Sequence, residues 1–141
     1  PALLPLVLCA LSSGARAGEL LSLRWKDVDL EAGTGIIATS KTGHGRTLHF
    51  VGQAVDALRA YGATRERGAS LRVFASDSTG RYPFQYIEPF REAVKAVNLE
   101  DFRFHDLRHS CASYMAQAGA SLLEVGLVLG HRSQATSARY A

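Results

Sequence analysis

His105-Asp106-Leu107-Arg108-His109-Ser110-Cys111-Ala112-Ser113-Tyr114-Met115-Ala116-Gln117-Ala118-Gly119 reads as one helix and its stop. Leu107, Cys111, Tyr114, Met115 and Ala118 recur on one side, and His105, Arg108 and Ala112 fall on another. Asp106 in the first turn complements the helix dipole, and Gly119 ends the helix. A second helix is expected over Leu122–Leu129, where Gly130 closes it and presents His131. His105 and Arg108 are three apart, which puts an imidazole and a guanidinium on neighbouring positions, within reach of one phosphate. Ser133 to Arg139 reads as a polar turn or short helix. Tyr140 follows His131 by nine residues in a segment too polar for core, so its hydroxyl is a candidate nucleophile.

Working back from that stretch, Leu3 to Leu11 forms an apolar helix with Pro1 and Pro5 suited to its first turn, stopped by Ser12-Ser13-Gly14. Arg16 then lies at a turn before a short helix, Ala17 to Leu23, with Glu19 three residues on and able to orient it by a charge-assisted hydrogen bond. Trp25 to Leu30, Ile36 to Thr39 and Thr47 to Val51 are short and rich in β-branched residues. Glycine-bearing turns separate them, the pattern of a three-stranded antiparallel sheet. Lys41 sits at the mouth of the second hairpin. Ala54, Val55, Leu58 and Tyr61 mark an amphipathic helix; Leu71–Phe74 is a short buried segment. A further helix opens at Pro83 and carries Phe84, Ile87, Phe90, Val94 and Val97 as a core stripe, with Pro89 distorting its early turns. The class is α+β: a mostly helical single domain with a small three-stranded antiparallel sheet.

At 141 residues and 47% hydrophobic, the chain suits one domain spanning 1–141 with a real core. A net charge of +3 is a weak pointer to a polyanion, but thirteen of the sixteen basic residues are arginine, whose planar fork suits bidentate phosphate contacts. A GC-rich coding bias would produce the same excess. Cys9 and Cys111 lie in apolar surroundings and are expected reduced and buried, in a cytosolic protein. The apolar start mimics a secretory segment but lacks a basic n-region and falls short of the roughly 20 residues that span a bilayer. It reads as a core helix of a domain whose upstream sequence is absent, with no membrane partner.

Singly, each polar candidate has an ordinary explanation: Arg16 as a solvated turn residue, Lys41 as a charge blunting a hairpin tip. Together, Arg16, Lys41, His105, Arg108, His131 and Tyr140 form an ordered set. Ser13-Gly14-Ala15-Arg16-Ala17-Gly18-Glu19-Leu20-Leu21-Ser22-Leu23-Arg24-Trp25-Lys26-Asp27-Val28-Asp29 carries the first part of a resemblance. Ser40-Lys41-Thr42-Gly43, Phe104-His105-Asp106-Leu107-Arg108-His109-Ser110, Leu129-Gly130-His131-Arg132-Ser133 and Arg139-Tyr140-Ala141 carry the rest. The chain resembles the catalytic domain of tyrosine recombinases, the phage-integrase family, over nearly its whole length.

That resemblance implies a recombinase that cuts and rejoins double-stranded DNA with neither metal, ATP nor another cofactor. It implies that Tyr140 attacks a phosphodiester to give a 3'-phosphotyrosyl intermediate and a free 5'-hydroxyl. Arg16 and Arg108 would stabilise the pentacoordinate transition state, Lys41 would protonate the leaving 5'-oxygen, and His105 would assist proton transfer at the tyrosine. His131 would donate to a nonbridging oxygen, and Glu19 would stand behind the first arginine. It further implies a homotetramer of the full-length protein on DNA, possible accessory proteins, and a cytoplasmic setting in a bacterium, phage or mobile element. Family members usually continue past the tyrosine with a segment that packs on a neighbour, and carry an N-terminal DNA-clamping domain; neither is expected within this chain. His49 stands where proline is frequent. His44, His49 and His109 are left for structural or surface roles.

Three other readings compete. His105 and His109, four apart on a helix, could share a zinc ion, but the glutamate of an H-E-x-x-H pattern and a third ligand are missing from the pattern. A noncatalytic DNA-binding remnant would use the basic groups for backbone positioning alone. A type IB topoisomerase would share the chemistry and only relax supercoils.

Overall fold

The computed structural model describes residues 1–37 and 45–130. Lys41, His44, His131 and Tyr140 lie outside them. Among the described residues, six helices and a three-stranded sheet form the α+β architecture expected from the sequence.

Helix α1 (Leu3–Ser13) is the central element and packs against both α3 (Gln53–Gly62) and α5 (Asp106–Gln117). Its residues are apolar nearly all round, as a helix enclosed by others must be. Leu6, Cys9 and Ala10 are fully buried. It ends where Gly14 takes the left-handed conformation (φ 71°) and returns its N–H to the Ala10 carbonyl at 2.9 Å. An added Cβ there would sit 2.3 Å from Leu129 Cδ2, so glycine is needed both for the backbone angle and for the approach of a distant helix. Ala15 is buried and the backbone re-extends at Arg16, the residue before α2 (Ala17–Ser22).

After a single 3-10 turn at Trp25–Asp27 come β1 (Val28–Asp29), β2 (Thr34–Ile37) and β3 (Arg46–His49), antiparallel in the order β1-β2-β3. Gly35 pairs with Leu48 and Ile37 with Arg46. The period of two is visible in burial: Gly35, Ile37 and Leu48 face the core while Ile36 and His49 face outward. Phe50, just past β3, lies over Gly35, where a Cβ would be 3.1 Å from its ring.

Residues 63–86 contain no helix. Residues 71–75 run alongside 23–25, with Trp25 N–H donating to the Leu71 carbonyl at 3.0 Å and Val73 N–H to Leu23 at 3.1 Å. Val73 and Phe74 are fully buried there, as expected. Tyr61 closes this part of the core, its hydroxyl donating to the Val73 carbonyl at 2.8 Å.

Helix α4 (Ile87–Ala96) starts at Ile87, not at the expected Pro83. Pro83 instead bridges Ala75 in extended pairing, and Phe84 N–H donates to Phe74 at 3.1 Å; those backbone bonds hold the segment out of a helix. Pro89 consequently falls in the first turn of α4, where a helix needs no backbone donor. Only part of the expected stripe is core. Phe90 is buried against Phe102 and Phe104, whereas Ile87 and Val97 are exposed.

The faces of α5 also differ from expectation. Arg108 and Ala112 share the buried arc with Leu107 and Cys111, and Tyr114 is exposed. The arc is rotated because α5 meets two neighbours, α1 on one flank and α6 (Leu122–Leu129) on the other. Helix α6 has the predicted bounds. Ser121 and Glu124 form a reciprocal capping box at its start, and Gly130 (φ 76°) ends it. Ala112, Val125 and Leu129 make a small satellite core that seats α6 on α5. Cys9 and Cys111 are free thiols and both buried. No helix among the described residues is long and apolar enough to cross a membrane.

Candidate functional site

Arg108 lies on the buried arc of α5 with 2% of its surface exposed. A guanidinium in such a place requires acceptors. It donates through Nη1 to the Gly14 carbonyl at 2.6 Å and through Nη2 to the Leu129 carbonyl at 2.7 Å. Both acceptors are helix-end carbonyls left over by the termini of α1 and α6. The fork is thereby oriented within the junction of three helices, and its Gly14 acceptor is two residues from Arg16 along the chain.

Arg16 is exposed, and its extended backbone separates α1 from α2. Glu19 is expected to orient Arg16 by a charge-assisted hydrogen bond. Its carboxylate accepts the Arg16 backbone N–H at 2.9 Å, capping α2, and also ion-pairs with Arg46. The bond is to the backbone because Glu19, the third residue of α2, reaches back three positions to the N–H of the residue before the helix, while the exposed Arg16 side chain leaves the turn toward solvent.

His105 immediately precedes α5, on the same turn as Arg108. Its imidazole is held below its ordinary value, first by partial desolvation and then by the neighbouring His109, Arg108 and Arg16, with Asp106 pulling the other way. His109 packs edge-on against the His105 ring, ring centres 5.1 Å apart. Among the described residues no group of three His, Cys, Asp or Glu side chains is arranged to hold a metal ion.

Burial would raise the Glu19 carboxyl, but hydrogen bonds from Arg46 and the Arg16 N–H, and the charges of Arg46 and Arg108, hold it below its ordinary value. Arg46 was not among the residues singled out from the sequence. It donates from Nη2 to Glu19 Oε1 at 2.6 Å, from Nε to Oε2 at 3.2 Å, and from Nη1 to the Val128 carbonyl. Strand alternation carried a usable signal: Arg46 is two residues before the inward-facing Leu48, so it points to the same face and must find an anion there.

The structure thus brings Arg16, Glu19, His105 and Arg108 into one neighbourhood and adds Arg46. Lys41 falls in sequence between the paired ends Ile37 and Arg46, and His131 follows Gly130, but these two and Tyr140 are outside the described residues. Of the remaining histidines, His49 is exposed and His109 packs on His105. Chemically, the neighbourhood couples an oriented guanidinium and an exposed one with an imidazole disposed to be neutral, a combination suited to a multiply charged oxyanion.

Residues 3–141 match the phage integrase family. The chain belongs to that family. A shufflon-specific DNA recombinase of Escherichia coli is 30% identical over 93% of this chain, covering 32% of the relative. The crystal structure of XerA recombinase superimposes with a TM-score of 0.80 at 25% identity, over 99% of this chain and 53% of that one. The Tn1549 transposon integrase, solved in complex with transposon right end DNA, has a TM-score of 0.83 at 19% identity, over 99% of this chain and 54% of that one. The chain spans about a third of the length of the shufflon recombinase and about half of the two solved chains.

Proposed function

We propose that residues 1–141 are the catalytic domain of a site-specific DNA recombinase. The domain cleaves and rejoins double-stranded DNA through a 3'-phosphotyrosyl intermediate, using neither metal nor ATP. The observation that carries this reading is the junction of Arg108 with the Gly14–Arg16 turn across 94 residues of sequence, with His105 three residues before Arg108 at the start of α5. Family membership supports it, as do relatives such as the Tn1549 integrase, which was solved on DNA.

In this mechanism the Tyr140 oxygen attacks phosphorus in line as the bond to the 5'-oxygen breaks. The phenolic proton passes to the His105 side, and Lys41 gives a proton to the departing 5'-oxygen. Arg16 and Arg108 bind the nonbridging oxygens as charge builds on them, and His131 donates to one of these oxygens. Glu19 holds the turn that carries Arg16. The phosphotyrosyl ester keeps the energy of the broken phosphodiester, so a 5'-hydroxyl from another strand reverses the step without an external energy source. The full-length protein acts as a homotetramer on DNA in the cytoplasm, with accessory proteins where the site demands them.

The test is covalent capture. The full-length parent protein is incubated with genomic and mobile-element DNA in EDTA and denatured, and attached fragments are sequenced. Fragments sharing one site, lost on Tyr140→Phe with DNA affinity unchanged, are expected. Absence of any adduct, or an adduct that survives Tyr140→Phe, overturns the assignment. Relaxation of plasmid lacking that site would move it to the type IB topoisomerases.

A further inference from the structure

Two arginines from different elements hold consecutive carbonyls at the end of α6. Arg46 of β3 donates to Val128, and Arg108 of α5 donates to Leu129. At their other ends both hold the same turn: Arg108 through the Gly14 carbonyl, Arg46 through Glu19, whose Oε1 in turn accepts the Arg16 N–H. With the backbone from Gly14 to Arg16 and from Val128 to Leu129, these hydrogen bonds close a circuit running Gly14–Arg16–Glu19–Arg46–Val128–Leu129–Arg108 and back to Gly14. Helix α6 has no basic residue in its own last turn, so these two guanidiniums supply the positive charge its carbonyl end attracts. The side chains of Arg46 and Glu19 are only 12% and 14% exposed, and the fork passes so close to Gly130 that a Cβ there would lie 2.9 Å from Arg46 Cδ.

We propose that Arg46 is a positioning residue for DNA cleavage, locking the Arg16 turn to the end of α6 so that Arg16 and Arg108 face one phosphate in a fixed relation. The inference rests on the recombinase reading above. The charge of Arg46 is matched by Glu19, so its contribution is geometric: one planar fork spans a carboxylate and a carbonyl together. A lysine ammonium keeps the charge but has no such fork. Loosening the circuit shifts Arg16 relative to Arg108, and misplacement by about 1 Å costs on the order of 100-fold in rate.

The experiment uses the full-length protein and a nicked duplex bearing the captured site. It compares wild type, Arg46→Lys, Glu19→Gln and the double variant. At saturating DNA, single-turnover adduct formation is expected to fall about 30- to 100-fold in each single variant, with the DNA dissociation constant within about threefold of wild type. The double variant is expected to be no more than about threefold slower than the slower single one, because the two side chains act as one unit. Amide hydrogen exchange rises at residues 15–20 and 126–130 and stays unchanged in α3 and α4. Glu19→Gln keeps an acceptor for the Arg16 N–H and serves if Arg46→Lys fails to fold. A wild-type cleavage rate in Arg46→Lys, or in Glu19→Gln where Arg46→Lys does not fold, overturns the proposal. So does a rate loss matched by an equal loss of DNA affinity with exchange rising throughout. A wild-type protein that forms no adduct removes the recombinase reading itself, whereas a wild-type adduct with undiminished Arg46→Lys cleavage removes this inference alone.

Discussion

Arg108 reaches back across 94 residues to donate from Nη1 to the Gly14 carbonyl at 2.6 Å, so the end of α1 and the start of α5 are joined by the group proposed to face the phosphate. Truncation separates its two roles. Arg108→Ala leaves the Gly14 and Leu129 carbonyls without these donors, at about 1–3 kcal/mol for each unsatisfied group. It also removes a transition-state donor, and adduct formation is expected to slow on the order of 100-fold or more. Arg108→Lys keeps the charge and cannot span both carbonyls, so its rate should stay closer to the alanine variant than to wild type. Urea unfolding and single-turnover cleavage measure the two effects independently.

Gly14→Ala tests the junction from its other side. The residue would be held at φ 71° with its Cβ 2.3 Å from Leu129 Cδ2 and 3.3 Å from Cys111 Sγ. The left-handed backbone costs roughly 1–2 kcal/mol and the overpacking roughly 1–3 kcal/mol. A fall in the urea midpoint at constant slope is expected. Because the Gly14 carbonyl is an Arg108 acceptor, cleavage should fall further than DNA affinity.

Two groups of the candidate site make the fold sensitive to acid. The Glu19 carboxyl is held below its ordinary value of 4.5, so its stabilisation is complete above that pH and is lost as pH falls through the lower folded value. His105 is held below its ordinary 6.5, so the unfolded chain binds the proton first, and stability drops as pH falls from 6.5 toward the folded value. Thermal unfolding from pH 3 to 8 should therefore show a lower Tm in acid. His105→Asn is expected to flatten the curve near and just below pH 6.5, and Glu19→Gln to flatten it below pH 4.5. An unchanged acid limb in both variants would contradict these placements.

Burial pushes the Cys9 thiol from 9.0 up to about 12, and desolvation raises Cys111 as well. Neither should react with a thiol-disulfide reagent at pH 8 in the folded protein, and both should react in urea. Since the unfolded Cys9 thiol ionises near pH 9 while the folded one resists to about 12, stability should decline as pH rises across that interval.

Local signals in the sequence were sufficient for several elements. Helix α6 has the expected limits because its capping box and terminal glycine act within one turn of the residues they delimit. The sheet follows from short β-branched runs set between glycine-bearing turns. Helix α4 was misplaced because the backbone of 83–84 is taken by residues 74–75, a pairing that helical spacing does not register. Arg108 and Ala112 share the buried arc of α5 with Leu107 and Cys111, against the two faces expected, because α5 has two packing partners and its buried arc follows their arrangement.

The sequence by itself determined the residue types suited to phosphate chemistry, the helices and hairpins that carry them, and a resemblance later met by the family match over residues 3–141. Those follow from short-range periodicity, turn chemistry and motif spacing. Only the tertiary structure decided that Glu19, besides accepting the Arg16 N–H, pairs with Arg46, 27 residues away. It also decided that Arg46 and Arg108 share the end of α6. Such partnerships arise because buried guanidiniums must find acceptors wherever packing has brought helix ends and a carboxylate together, and that placement is a property of the assembled core.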